Sequence, residues 1–156
     1  MASRTRLAND ALEALLSAHA RLMKQFAAED IWQDLSMREY DVLYTLSKCG
    51  EPARIGELHR HVLLSQPALS RMVDRLVDRG LVGRTVDPDD KRGVRLSLTD
   101  AGRVSQRAVG LRHGASVARA MAARLDTEEL RQLERLCRRL ARAVDPLPSE
   151  NGRHDS

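Results

Sequence analysis

The order of helix, strand and turn patterns over residues 55–98 constrains the fold of this chain more than any other feature. Two short segments with helical hydrophobic spacing come first, and the second of them ends at Gly80. A strand pattern at Leu81–Val86, a turn-forming segment at residues 87–93 and a second strand pattern at Val94–Leu98 follow. This order predicts a winged helix-turn-helix, a fold that is mainly α with a small β-hairpin wing.

The second helix of this unit has one apolar face and one free face. Ser65 is its predicted N-cap, and Pro67 fits the first turn, where its missing N–H has no helical partner. The apolar residues that recur at i, i+3, i+4 and i+7 are Leu69, Met72, Val73 and Leu76. The polar residues that lie away from this stripe are Gln66, Ser70, Arg71 and Arg75. A helix with such a free face fits the major groove of DNA.

The side chains of the free face have the chemistry of DNA contacts. Arg71 can donate two hydrogen bonds to guanine O6 and N7, and Gln66 can pair with adenine N6 and N7. Ser70 and Arg75 are better suited to phosphates, which position a protein on DNA without reading its sequence. The alternative is an ordinary solvated face, on which the arginines pair with aspartates of the same helix.

The turn between the two strands carries Lys91 and Arg92 at its predicted tip. An arginine there is attracted to a narrow, electronegative minor groove beside the major groove that the helix occupies. The alternative for Arg92 is a salt bridge within the turn, to Asp89 or Asp90. The helix and the turn together predict a contact with double-stranded DNA.

Composition permits this interpretation and argues against several others. The formal net charge is +4, and the 26 Lys and Arg residues include only Lys24, Lys48 and Lys91 as lysines. The sequence has no phosphate-binding loop, serine-hydrolase elbow or helical zinc motif, so an enzyme is not expected. His59 and His61 are two residues apart, unlike a helical metal-binding pair, and neither a metal nor another cofactor is expected. No apolar run reaches the roughly 18 residues of a membrane span, so we expect a cytoplasmic protein without a membrane partner.

Long amphipathic helices are predicted on both sides of the winged unit. Residues 1–34 contain the first, residues 35–99 form the DNA-binding lobe, and residues 100–145 contain two more. The simplest partner for their apolar faces is the same set of helices in a second copy, which gives a two-fold homodimer. In the alternative, these helices complete one monomeric core. The polar segment at residues 146–156 is predicted to be a disordered tail.

Four motifs occur in order between residues 65 and 103. They are Ser-Gln-Pro-Ala-Leu-Ser-Arg-Met-Val-Asp-Arg-Leu at 65–76, Arg-Gly-Leu-Val at 79–82, Asp-Pro-Asp-Asp-Lys-Arg at 87–92 and Leu-Thr-Asp-Ala-Gly-Arg at 98–103. Together they resemble the MarR family of bacterial ligand-responsive transcription regulators. The resemblance implies a dimer of winged helix-turn-helix lobes that binds near-palindromic operator DNA and usually represses transcription.

The resemblance also implies roles for individual residues. The recognition-helix contacts to DNA match Ser65, Gln66, Ser70, Arg71 and Arg75. Arg92 matches the minor-groove arginine of the wing, and Asp90 matches the acidic residue that steers it. These matches agree with the DNA contacts that the residue chemistry predicts.

The resemblance further implies a small effector, often aromatic. The sequence constrains the effector site less well than it constrains the DNA contacts. The candidate pocket residues are His19, Trp32, Tyr40 and Tyr44, which could equally be packing residues near a helix junction. One alternative is a DNA-binding protein without effector control.

A second alternative is a cysteine-based redox regulator. The sequence leaves open whether Cys49 or Cys137 senses oxidants, because neither has an obvious activating neighbour. Cys137 lies on the apolar stripe of the last helix and is expected to be a core residue.

Overall fold

The computed structural model describes residues 3–50 and 52–144, and the predicted tail at 146–156 lies outside them. The described residues form six helices and three short strands. In chain order these are α1 (Arg4–Ala27), α2 (Met37–Lys48), β1 (Ala53–Arg54), α3 (Ile55–His59), α4 (Gln66–Asp78), β2 (Val82–Val86), β3 (Val94–Leu98), α5 (Asp100–Ala122) and α6 (Thr127–Val144). The mainly α fold with a β-hairpin is confirmed.

Capping hydrogen bonds define the starts of three helices and confirm the predicted N-cap at Ser65. Ser36 and Glu39 form the reciprocal capping box at α2, with the Glu39 N–H donating to Ser36 Oγ at 3.2 Å. Ser65 Oγ accepts from the N–H of Ala68 at 3.3 Å and so caps α4. Thr99 Oγ1 accepts from the N–H of Gly102 at 3.0 Å at the start of α5. These caps could be predicted because each depends on residues only three positions apart.

The sheet contains one strand that the periodicity did not indicate. Its order is β1-β3-β2, with both neighbouring pairs antiparallel. The β2–β3 hairpin has the predicted alternation, and its register pairs Val82 with Leu98 and Val86 with Val94. Strand β1 contributes only the pairs of Ala53 with Leu96 and Arg54 with Arg95. Two residues are too few to show a period, so the third strand was missed.

The predicted stripe of α4 forms part of the core of the winged lobe. Leu69, Met72, Val73 and Leu76 are all buried. Leu43 and Leu46 of α2, Leu58 of α3 and Leu96 of β3 are buried as well. Burial of this stripe leaves the opposite side of α4 at the surface, as the pattern predicted.

The described residues divide into two compact units, the first ending at Ser116 and the second beginning at Val117. Within the first unit, α1 buries only Phe26 and exposes the apolar residues Leu7, Leu12, Leu15 and Leu16. Within the second unit, α6 exposes Leu133, Leu136 and Leu140. Cys137 is also exposed, so the expectation that it is a core residue is wrong for the single chain. No helix among the described residues is long and apolar enough to span a membrane.

Candidate nucleic-acid interface

The polar residues of α4 lie at the surface of the winged lobe. Gln66, Arg71 and Arg75 are exposed, and Ser70 is half-buried. Ser65 is exposed as well, although its hydroxyl is already engaged in capping the helix. The structure therefore brings the five helix positions predicted for DNA contact to the start and the free side of one helix.

The two arginines of this face have no anionic partner in the part of the chain that the structure describes. Asp74, which could have neutralised them, pairs instead with Arg84 of β2. Arg71 and Arg75 form no ion pair within residues 3–50 and 52–144. Two uncompensated guanidinium groups on one exposed helix face attract phosphates and guanine edges.

The far end of α4 is tied to the start of α2. Arg79 Nη1 lies 3.1 Å from Glu39 Oε1, and Nη2 donates to the backbone carbonyl of Asp34 at 2.7 Å. Glu39 is the same residue that completes the capping box of α2. The two contacts hold α4 against α2 in addition to the apolar packing between them.

The wing tip holds Lys91 and Arg92 at the surface. Both side chains are exposed, and neither forms an ion pair among the described residues. Asp89, one of the partners considered for Arg92, pairs with Arg95 at 2.8 Å. The tip therefore presents two cationic groups that remain available to an anionic partner.

Asp90 shapes the backbone of the tip. Its Oδ1 accepts from the N–H of Arg92 at 3.0 Å, and its carbonyl accepts from the N–H of Gly93 at 2.8 Å. These bonds form a tight turn of the type that aspartate favours. Asp90 thus acts on Arg92 through its backbone, which is compatible with the steering role that the sequence suggested.

The start of the turn between the wing strands contains a buried carboxylate that the sequence did not single out. The Asp87 side chain lies 2.5 Å from Arg54 Nε and 3.0 Å from Arg95 Nε. Its Oδ1 also accepts from the N–H of Asp89 at 3.0 Å. The hydrogen bond from Arg54, supported by that of the Asp89 backbone, lowers the pKa of Asp87 from 3.8 to about 2. Asp87 is therefore ionised at any pH at which DNA binding is measured.

Three of the four candidate pocket residues come together with two residues that the sequence did not indicate. The Trp32 and Tyr40 ring centroids are 5.7 Å apart, and those of Tyr40 and Tyr44 are 5.9 Å apart. His113 of α5 lies 5.1 Å from Trp32, and Phe26 of α1 lies 5.1 Å from His113. We call these five residues the aromatic cluster. The sequence did not indicate His113 because α5 is distant in sequence from the other members of the cluster.

His19 is not part of the aromatic cluster. It is exposed on α1, and no ring contact to it occurs among the described residues. Because His19 lies nearly two turns before Phe26 on the helix, it is about 10 Å away along the axis. The structure thus groups Trp32, Tyr40 and Tyr44 but separates His19 from them.

His113 is the polar member of the aromatic cluster. Its Nδ1 is buried and has no hydrogen-bond partner within the described part of the chain. Burial lowers the pKa of His113, opposed by the charges of Glu29 and Asp41, so the imidazole is mainly neutral at pH 7. An unsatisfied buried nitrogen among aromatic rings is a feature that a polar ligand group could complete.

The described structure gives Cys49 an environment that does not favour redox sensing. Cys49 is half-buried, and burial raises the pKa of its thiol, which lowers the reactive thiolate fraction. Cys137 is exposed on α6, and no cysteine forms a disulfide in the described residues.

A helix with free arginines beside a cationic hairpin tip, on a lobe of this topology, defines a winged helix-turn-helix DNA-binding protein. The MarR family model matches residues 35–94, which cover α2 to the start of β3. Over this lobe the chain is similar to the MarR family of DNA-binding transcriptional regulators.

Known relatives match along most of the chain. The transcriptional repressor MdtR of Bacillus subtilis is 26% identical over 151 residues, which are 97% of this chain and 96% of MdtR. A mutant of MarR from Escherichia coli, solved in complex with operator DNA, has a TM-score of 0.70 and 27% identity, covering 83% of this chain and 92% of that one. PcaV of Streptomyces coelicolor, solved with its natural ligand, has a TM-score of 0.64 and 28% identity, covering 92% and 95%.

Proposed function

We propose that this chain acts as a homodimeric repressor that binds a near-palindromic operator and is released by a small effector. The observation that carries the DNA contact is the set of uncompensated cationic side chains on two elements of one lobe, Arg71 and Arg75 on α4 and Lys91 and Arg92 on the wing. The helix residues would enter the major groove, and Arg92 would reach the neighbouring minor groove. MarR in complex with operator DNA provides a precedent in a related protein.

The exposed apolar residues of α1 and α6 support a dimer. Leu7, Leu12 and Leu16 are more than half exposed on α1, and Leu136 and Leu140 are on α6. Large exposed apolar residues repeated along a long helix rarely stay in water on a stable monomer. A second copy supplies identical stripes, and a two-fold dimer matches the symmetry of a palindromic site. Burial in that dimer would also cover the exposed Cys137.

We propose the aromatic cluster as the effector site, with a small aromatic molecule as the effector class. PcaV, a relative solved with its natural ligand, is the precedent for ligand binding in this fold. Trp32, Tyr40 and Tyr44 keep their predicted role in this proposal, while His19 stays a prediction without a structural contact to the cluster. We expect no enzymatic activity and a cytoplasmic location, as for other regulators that bind DNA.

Helix α5 provides a physical connection between the cluster and the wing. Gly102 near its start packs against the backbone of Leu81, just before β2, and His113 further along enters the aromatic cluster. A ligand that repositions His113 would therefore shift a helix that also contacts the base of the wing. Such a ligand lowers operator affinity only if it binds better to the arrangement that fits DNA poorly.

We expect Arg92→Ala to raise the Kd for the operator about fivefold or more without lowering the melting temperature, because the side chain is exposed and unpaired. The slope of log Kd against log salt concentration should also fall, since one fewer counterion is released. A gel-shift titration at several salt concentrations measures both quantities.

The matched control for Arg92→Ala is Arg112→Ala, which removes the same charge from an exposed position on α5. It should leave operator affinity close to that of the parent protein. Equal affinity for Arg92→Ala and parent would exclude the wing tip as a DNA contact.

The single tryptophan of the chain makes the effector site testable, because Trp32 lies inside the aromatic cluster. We expect an aromatic acid that weakens operator binding to change Trp32 fluorescence over the same concentration range. The control is free tryptophan amide, which corrects for absorption by the compound. An active compound that leaves Trp32 emission unchanged would place the effector site elsewhere, and the absence of any active compound would favour DNA binding without effector control.

A further inference from the structure

We propose that Asp87 is the positioning residue of the wing, a buried carboxylate that fixes the hairpin tip to β1 so that Arg92 is presented to DNA in one orientation. The inference rests on the proposed function of the wing as a DNA contact. It assigns a role to Asp87, Arg54 and Arg95, none of which was predicted to contact DNA. Arg54 comes from β1, Asp87 from the position directly after β2, and Arg95 from β3.

The contacts of Asp87 join three segments that would otherwise be weakly connected. Arg54 reaches it from β1, a strand of only two residues. Arg95 reaches it from β3, and the backbone N–H of Asp89 donates to it from the turn. The N–H of Asp87 itself donates to the carbonyl of Gly93 at 3.0 Å and closes the turn. One carboxylate thus connects the lobe, both wing strands and the tip.

Burial of the Asp87 carboxylate keeps its ion pairs with Arg54 and Arg95 in place. The Asp87 side chain is 1% exposed, whereas that of Arg54 is 50% exposed. A buried carboxylate without its cationic partners is strongly disfavoured, so the ion pairs hold as long as Asp87 stays inside. A tip that swings away from β1 would have to break them.

Asp87 also relieves a repulsion that the sheet register creates. Arg54 and Arg95 are direct partners in the antiparallel β1–β3 pair. Like charges at opposite positions destabilise such a pair. With Asp87 present the two guanidinium groups share one anion, and without it the β1–β3 pair carries two facing cations.

If Asp87 positions the wing, replacing it changes operator affinity in the direction opposite to that expected from the loss of its negative charge alone. Asp87→Asn removes a negative charge from a face that approaches DNA, so an electrostatic effect alone would tighten binding. If Asp87 positions the wing, the same change weakens operator binding because Arg92 is no longer held in place. The matched control is Asp89→Asn, which removes the same charge from an exposed side chain with one arginine partner.

The experiment is a double-mutant cycle on the full-length protein with an operator duplex selected from a random pool. We expect Asp87→Asn to raise Kd about fivefold to tenfold and Asp89→Asn to leave it equal or lower. Because Asp87 acts through Arg92, the variant carrying both Asp87→Asn and Arg92→Ala should bind no more weakly than Arg92→Ala alone. The slope of log Kd against log salt concentration should fall in Asp87→Asn as it does in Arg92→Ala. A general loss of stability would not produce this change.

The outcomes separate this inference from the proposed function. Unchanged or tighter operator binding by Asp87→Asn, with Arg92→Ala still impaired, overturns the positioning role and leaves the wing contact intact. No effect of Arg92→Ala overturns the wing contact itself. If Asp87→Asn does not fold, Arg54→Gln tests the same connection, since it keeps the Asp87–Arg95 pair and removes the tie to β1. Arg54→Gln with parental affinity and salt slope would then overturn the proposal.

Discussion

Arg71→Ala should raise the Kd for the operator by about 10- to 100-fold, the range for losing one bidentate base contact. The side chain is exposed on α4 and has no ion partner among the described residues, so its removal should change the free energy of unfolding little. Binding to unrelated duplexes should fall much less, because a base contact contributes to the specific complex only. Titrations of the operator and of a scrambled duplex, at equal salt, measure both effects.

Arg71→Lys is the informative companion to that variant. It keeps the charge but loses the planar guanidinium that matches guanine. The preference for the operator over the scrambled duplex should therefore fall, while the slope of log Kd against log salt concentration stays close to that of the parent. Equal losses on operator and scrambled DNA in Arg71→Ala would mean that Arg71 contacts phosphate. Parental affinity in both variants would remove Arg71 from the interface.

Gly102→Ala should lower the free energy of unfolding by about 3 kcal/mol, because it forces side-chain atoms into a closely packed backbone. A Cβ at this position would lie 2.0 Å from the carbonyl oxygen of Leu81, which no rotamer change can relieve. The same carbonyl accepts a hydrogen bond from the N–H of Thr99 at 3.1 Å. Helix α5 would have to move away from the turn that precedes β2.

Gly114→Ala is the control on the same helix. Nothing lies within 4 Å of a Cβ built there, so the variant should be about 0.5–1 kcal/mol more stable through better helix propensity. Urea unfolding at one fixed protomer concentration compares the two, since the stability of a dimer depends on concentration. Similar stabilities for both variants would contradict the close approach of α5 and Leu81.

The features that the sequence predicted are those that depend on neighbouring residues. The stripe of α4, the hairpin and the cap at Ser65 all follow from spacings of a few residues. The motif Leu-Thr-x-x-Gly is present in the sequence at residues 98–102, and the structure shows its physical reason. Thr99 caps α5, and Gly102 allows the helix to approach Leu81.

The features that the sequence missed depend on contacts between distant segments. Arg54 and Asp87 are 33 residues apart, and nothing local marks them as a pair. His113 joins Trp32 and Tyr40 only because α5 returns to the junction of α1 and α2. His19 has the right residue type for a pocket, but no ring contact to it occurs among the described residues. A residue's chemistry can be read from the sequence, whereas its neighbours across the fold cannot.

The most direct measurement is selection of bound duplexes from a random pool by the purified full-length protein, followed by sequencing. We expect an enriched inverted repeat whose half-sites are about one helical turn apart, as two copies of the α4-and-wing lobe require. Recovery of no enriched duplex at low salt, or of a single half-site without its repeat, would contradict a two-fold pair of lobes that each insert a helix and a wing arginine into DNA.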